Sequence, residues 1–504
     1  MKQILLTGFT LMFGAGLVFG QPSNHIPIEE LRSLRLPDVR IESATQVSPD
    51  LQKNPNRVPY VQVKGVIGGN ILFELLLPDT WNGKFTMGGG GGFVGSIQNS
   101  ARDSVNRGYA TVGTDTGHEW EPGYMGGWAL DNVEAKLNFG YLGVHRTAEV
   151  AKAIIRAYFG KEAAHSYFLG CSRGGGQAMM EAQRYPNDFE GIVAGAPAFN
   201  WTGFAATMVS IAKALYPDPR HLQSTVLTKD ALKKLQQAII DQCDAQDGLK
   251  DGVIQDPATV HFDLAKVEGI TDEQRKAIEA IYGGARIGQK QICQGYPRGA
   301  ECDPDQWIAW LVGPVPTMVT KDQVADLTFA FGTQVFKYLI FNDPEWDYST
   351  YDFSNFEKDT HFAATFLNAT NPDLDGFKNR KGKLILWHGW ADPALPAQAT
   401  SDYYRQVQIH DLKAGDYCRL FLIPGCLHCG GGPGAAEVDW LSVISDWVEH
   451  DKAPDRLVAS KHEHGKVVMT RPLFPYPQYA GYKGTGDPNN ADSFEMKTTP
   501  EPQR

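Results

Sequence analysis

The sequence predicts an α/β protein in which a mostly parallel sheet carries helices on both faces and one long insertion divides the domain. Three observations lead there. Short apolar runs alternate with amphipathic helical segments before about residue 198. From about 199 to 379 the alternation stops, and the chain turns helical and irregular, with acidic loops and many aromatic residues. Past 380 the alternation resumes, so 21–198 and 380–504 read as two parts of one domain around a lid at 199–379.

Each element has its own signal. Residues 70–92, "NILFELLLP", a turn, then "FTMGGGGGF", predict strand–turn–strand. A short strand follows at Ala110–Gly113. Val150, Ala153, Ile154, Ala157 and Tyr158 fall at helical spacing, and Gly160 ends that helix. "SYFLG" (166–170) predicts a strand, "GQAMMEAQRYP" (176–186) a helix closed by Pro186, and "GIVAGAP" (191–197) a strand. After the insertion come a strand at 382–389, a helix near 396–407, a strand at 417–425 and a last helix at 437–451. Residues 470–504, rich in Pro, Gly and Asn, are expected to wrap the surface.

Composition narrows the functional classes. Of 504 residues, 42% are hydrophobic and 21% charged, and the formal net charge is −11. That charge argues against nucleic acid or an anionic membrane as the main partner and fits a small-molecule substrate. The opening "MKQILLTGFTLMFGAGLVFGQ" reads as a signal peptide, residues 1–20, cleaved after Gly20. A membrane anchor is the competing reading, but no basic stop-transfer cluster follows. The mature chain is therefore expected in the periplasm or outside the cell, where disulfides persist. Seven cysteines, at 171, 243, 293, 302, 418, 426 and 429, leave at least one thiol unpaired within a monomer.

Gly170-Cys171-Ser172-Arg173-Gly174 fits G-x-S-x-G between an apolar strand and a helix. That context marks a nucleophile elbow, a sharp turn that exposes the serine hydroxyl above the sheet. A hydroxyl needs a base to take its proton. In α/β-hydrolases the partners follow in the order Ser, Asp, His. Asp392 follows the strand "LILWHG", and His428 follows "LFLIPG", so both belong at the same sheet edge as Ser172. His388 is expected to line or support that site. As site residues the three are expected to be exposed and replaceable without harm to folding. Backbone N–H groups from Arg173 and from the loop "MGGGGGFVG" (87–95) suit an oxyanion hole. A phosphate loop is set aside because the Lys-Ser/Thr ending is missing.

Cys171 precedes the nucleophile and Cys429 follows the base. A serine and histidine in hydrogen-bond contact bring these neighbours within disulfide reach, so a Cys171–Cys429 bridge is expected. In "CDAQDGLKDGVIQDP" (243–257), Asp244, Asp247 and Asp251 cluster, with Gly248 and Gly252 permitting a tight loop. Oxygen donors of this kind suit a hard cation, although the loop does not fit an EF-hand. A solvated acidic turn is the other reading.

Taken together, the chain resembles the tannase and feruloyl esterase family. The resemblance rests on Cys171-Ser172, Asp392 and His428-Cys429, and on "WNGKFTMGGGGGFVGS", "GCSRGGGQAMMEAQRYP", "HGWADPALPA" and "RPLFPYPQYAGYKGTGD", over about residues 60–490. It implies an α/β-hydrolase fold with a large inserted lid domain, and a serine esterase cleaving esters of aromatic acids. The substrate would be a small-molecule aromatic ester, plant cell-wall or tannin derived. It further implies Gly92 as the second oxyanion donor. It implies structural calcium held by Asp244, Asp247, Asp251 and the carbonyls of Leu249 and Val253, and no organic cofactor. Lid aromatics Trp307, Trp310, Trp346, Tyr348, Tyr351 and Phe353 are candidates for the substrate wall. The family's usual bridges for Cys243 and at position 474, here Phe474, are absent, and Cys293 and Cys302 are left to close a small lid loop. A serine peptidase on the same fold, and an inactive calcium-dependent binding protein, are the alternatives. Feruloyl, galloyl and terephthaloyl esters all stay open.

Overall fold

The structure is a computed structural model that describes residues 25–49, 57–119, 126–299, 301, 306–313 and 325–498. The expected signal segment, residues 1–20, and Cys302 lie outside the described residues.

Nine strands form the main sheet: β1 (Val39–Val47), β2 (Tyr60–Ile67), β3 (Ile71–Pro78), β4 (Lys84–Gly88), β5 (Ala110–Thr114), β6 (His165–Cys171), β7 (Gly191–Gly195), β8 (Lys383–Gly389) and β9 (Cys418–Ile423). Their order is β1-β2-β3-β5-β4-β6-β7-β8-β9. From β5 to β9 every neighbouring pair is parallel. β1, β2, β3 and β5 pair antiparallel. β1 and β2 precede the first strand expected from sequence, near residue 70. β1, "VRIESATQV", packs on the core only partly, through Val39, Ile41 and Ala44, and an irregularity between Ile41 and Ser43 breaks its apolar alternation after four residues.

The parallel half explains why its strands read as continuous apolar runs. β7 is buried at every residue. Successive side chains point to opposite faces. Phe168, Ile192, Leu384 and Leu386 join the core on one face, and Tyr167, Val193, Ile385 and Phe421 the core on the other. Helices α1 (Gly143–Phe159) and α2 (Arg173–Arg184) pack on the first. The terminal helix α9 (Trp440–His450) covers the second with Leu441, Ile444 and Trp447. Burying each such side chain contributes about 1.5–3 kcal/mol. Gly160, at φ 69°, caps α1 in the left-handed region, as its position in the sequence suggested.

Between β7 and β8 no strand among the described residues joins the main sheet. That stretch holds α3 (Trp201–Leu215), α4 (Lys229–Cys243), α5 (Asp272–Gly283), α6 (Leu327–Gln334) and α7 (Phe356–Leu367), with a small hairpin at Ala285–Ile287 and Lys290–Cys293. α8 (Ala397–His410) connects β8 to β9. The C-terminal tail, expected from sequence to wrap the surface, is more regular than its turn-rich composition suggests. It builds two antiparallel hairpins, Leu457–Glu463 with Lys466–Leu473, and Gln478–Tyr482 with Phe494–Thr498. Among the described residues no helix is long and apolar enough to cross a membrane.

Candidate active site

β6, β8 and β9 end at one edge of the sheet and supply the three polar side chains. Ser172 directly follows β6 and caps α2, at φ 62° and ψ −123°. A non-glycine residue at positive φ is strained, and this turn is the expected elbow. The turn needs glycine on its flank, because a Cβ at Gly170 would sit 2.3 Å from the Gly174 carbonyl oxygen. Asp392 lies in the turn after β8, and His428 in the loop after β9. The loops converge. His428 Nε2 lies 2.8 Å from Ser172 Oγ, and His428 Nδ1 lies 2.8 Å from Asp392 Oδ2. The remaining Asp392 oxygen accepts N–H groups from Ala394 at 2.7 Å and Leu395 at 3.0 Å.

Asp392 corrects the expectation that all three side chains are exposed: it is 0% exposed. Burial pushes its carboxyl up. The attraction of His428 and hydrogen bonds from His388 and His428 more than offset this and hold it well below the usual carboxylate range. An ionised Asp392 can orient the imidazole and stabilise it once protonated, and His428 can take the Ser172 proton.

Arg173 begins α2, so its N–H is one of the orphan donors of a helix N-terminus beside Ser172. Its guanidinium turns inward, donating to the carbonyls of Phe139 and Gly140 and stacking over the Phe139 ring. In the glycine loop, the N–H of Gly90 donates to Gln177 and that of Gly91 to Gln98. Gly92, at φ 57°, lines the cleft with Ser172 and His428.

Cys171 and Cys429 form a disulfide with Cα atoms 5.8 Å apart, across 258 residues of sequence. It joins the two chain positions next to Ser172 and His428. Cys243, Cys293, Cys418 and Cys426 are free, buried thiols. Cys293 thus does not close the lid loop that the sequence suggested.

The cleft lies between sheet edge and insertion. Its walls differ from those expected. Of the six lid aromatics named from sequence, Trp310 alone is among the lining residues. Trp346 and Tyr351 pack with Phe336 and Phe341 inside the insertion, and Trp307 is fully buried. The wall comes instead from Trp201, Phe204, Ala205 and Met208 on α3, facing Phe331 and Trp310. Positions 201, 204, 205 and 208 follow the i, i+3, i+4, i+7 stripe of one helix face, a signal that was present in the sequence. Phe331 stacks on Phe93 and on Trp310, and Trp310 meets His428 edge-on at 5.8 Å. Gln306, which carries no motif, accepts the His428 N–H at 2.9 Å and so tethers the histidine loop to the insertion.

The acidic loop follows α4. Asp244 accepts the Gly252 N–H, Asp247 those of Leu249 and Gln255, and Asp251 that of Val253. Burial pushes the Asp247 carboxyl up to about 6; its amide hydrogen bonds oppose this, and the charges of Asp251 and Asp244 add to it. Among the described residues, the side-chain trios that bring ligand atoms within 4.8 Å of one another are His145–Glu181–Asp188 and Asp373–Asp375–His410, not the 244–251 aspartates. Arg471 of the C-terminal hairpin donates to Asp251 at 2.8 Å.

The sheet order, the elbow and the Ser–His–Asp chain define the α/β-hydrolase fold. The family model "Tannase and feruloyl esterase" matches residues 59–497. A probable feruloyl esterase of Arthroderma benhamiae is 33% identical over 456 residues, covering 84% of this chain and 81% of that protein. Mono(2-hydroxyethyl) terephthalate hydrolase of Piscinibacter sakaiensis is 30% identical over 501 residues, covering 85% and 82%. Feruloyl esterase B of Aspergillus oryzae superposes with a TM-score of 0.80 at 23% identity, covering 92% of this chain and 98% of that one, and shares the fold. The chain belongs to the tannase and feruloyl esterase family, a family of carboxylic-ester hydrolases acting on small-molecule esters.

Proposed function

We propose that the protein is a secreted serine esterase that cleaves esters of aromatic acids through an acyl-enzyme on Ser172. The observation that carries this reading is the hydrogen-bonded chain Ser172–His428–Asp392 opening onto an aromatic cleft. Ser172 Oγ attacks the ester carbonyl as His428 takes its proton, and Asp392 stabilises the imidazolium. The backbone N–H groups of Gly92 and Arg173 take up the developing oxyanion charge at the positive end of α2. His428 returns the proton to the leaving alcohol, and water repeats the sequence on the acyl-enzyme. The disulfide supports an oxidising compartment.

The wall favours a weakly polar acyl group. Beyond Ser172, Arg173 and His428, the lining among the described residues is apolar apart from the indole N–H groups of Trp201 and Trp310, and the Arg173 guanidinium is occupied elsewhere. A free carboxylate or three hydroxyls on the ring would be desolvated with two indole N–H groups as the neutral side-chain donors of the wall, at about 1–3 kcal/mol for each group left unpaired. Purified protein should therefore hydrolyse methyl ferulate at least about tenfold faster, by kcat/KM, than methyl gallate or a terephthalate monoester. Preference for the terephthalate monoester would overturn the feruloyl-type reading.

Calcium is the second part of the proposal. Asp244, Asp247 and Asp251, with the carbonyls of Leu249 and Val253, would hold it; all are hard oxygen donors, and the three carboxylates repel one another, with Arg471 on Asp251 offsetting part of that charge. A bound ion supplies charge neutralisation to the loop. Val253 lies against Gly425, at the start of the loop that carries His428, since a Cβ at Gly425 would come 3.1 Å from Val253 Cγ1. Chelation should lower Tm by several degrees, with a smaller change in kcat. Unchanged melting in Asp247→Ala/Asp251→Ala, with no calcium found in the wild type by elemental analysis, would remove this part.

A further inference from the structure

We infer that His388 is a positioning residue for the reaction: a second, buried imidazole that donates to the same Asp392 oxygen as His428, and so divides the charge that Asp392 offers the base. This rests on reading Ser172, His428 and Asp392 as the catalytic set.

His388 lies near the end of β8 and is 0% exposed. Its Nε2 is 3.1 Å from Asp392 Oδ2 and 3.2 Å from the Leu395 carbonyl oxygen. Both partners only accept, so Nε2 carries the hydrogen. Its Nδ1 is 2.8 Å from Thr400 Oγ1, a hydroxyl on α8 that donates to the free lone pair. A neutral imidazole thus satisfies every partner: the two acceptors at Nε2 set the tautomer, and Thr400 holds the ring through Nδ1. Asp392 then receives four donors: two amides on Oδ1, and the two histidines on Oδ2.

A carboxylate that shares its charge among four donors is a weaker partner for each one. Removing the His388 donor should concentrate charge on His428, making the base easier to protonate. It should also release Asp392 to drift, and rates are sensitive to displacements of about 1 Å. Other titratable groups close to Asp392 are the Cys426 thiol, on the loop after β9, and the Tyr296 phenol from the insertion. Burial raises both well above their ordinary values, so neither titrates across an assay range near neutrality. Cys171 and Cys429 are oxidised.

The test is the pH profile of kcat/KM for His388→Ala, His388→Gln and Thr400→Val, with Tm measured alongside. Expected for His388→Ala are a kcat lower by on the order of ten- to a hundredfold, little change in KM, and an acidic limb displaced to higher pH by roughly half a unit or more. His388→Gln, whose amide can place a donor where Nε2 stood, should restore most of both. Thr400→Val, which removes the partner that holds the ring at Nδ1, should move the limb in the same direction by less, and reads the effect if His388→Ala does not fold. A wild-type acidic limb in Thr400→Val and in any folded His388→Ala, whatever happens to Tm, would make His388 a packing residue and overturn the inference. Phosphonate labelling of Ser172 in the wild type tests the underlying catalytic reading separately.

Discussion

Replacing Ser172 with alanine should lower kcat by on the order of 10⁴ or more, and His428→Ala should do the same. The two losses should not add, because hydroxyl and imidazole act as one unit in a single proton transfer. Both side chains are partly exposed at the cleft, so circular dichroism and Tm should stay near wild type. Asp392→Ala differs. It strips partners from two imidazoles and two amides around a fully buried position, and each buried group left unsatisfied costs about 1–3 kcal/mol. It should therefore lower stability as well as turnover, although its kinetic cost should be somewhat smaller than that of Ser172→Ala. Near-normal turnover by folded Ser172→Ala would remove the serine from the mechanism.

The Cys171→Ala/Cys429→Ala variant should lose both stability and rate. Opening a loop of 258 residues releases chain entropy worth on the order of 5 kcal/mol, which should appear as a large drop in Tm. The rate effect has a separate origin. The bridge joins the residue before the nucleophile to the residue after the base. Both Ser172 and Cys429 sit at positive φ, so neither turn holds its shape without outside support. Without the bridge, Gln306 and Asp392 still hold the histidine loop, but the direct tie to the elbow is gone. Assayed well below its own Tm, the double variant should be slower by on the order of tenfold or more. Full activity there would reduce the bridge to a staple acting on stability alone.

The central half of the fold was legible because parallel strands buried on both faces leave unbroken apolar runs, as in β6, β7 and β8. The edge was not: β1 is only partly buried and its alternation breaks between Ile41 and Ser43, and the C-terminal hairpins are hidden among turn residues. The candidate site was legible where chemistry is local. G-x-S-x-G marks its own turn, and Asp392 and His428 each follow an apolar strand. The bridge was legible because its cysteines flank those residues. The cleft wall was misread because an aromatic side chain carries no mark that separates lining from lid core. Trp346 and Tyr351 serve packing, while the face built by Trp201, Phe204 and Met208 emerges once α3 is known to meet the site. Gln306 could not be found at all, since its role depends on a contact 122 residues away.

Rapid quenching during turnover of a 4-nitrophenyl ester of an aromatic acid, followed by peptide mass mapping, tests the central proposal most directly. The peptide containing Ser172 should carry the mass of the acyl group, fragmentation should place it on Ser172, and Ser172→Ala should show neither the adduct nor the burst of nitrophenol. Hydrolysis that proceeds at the wild-type rate with no adduct on that peptide, or with the acyl group on another side chain, would contradict an acyl-enzyme on Ser172.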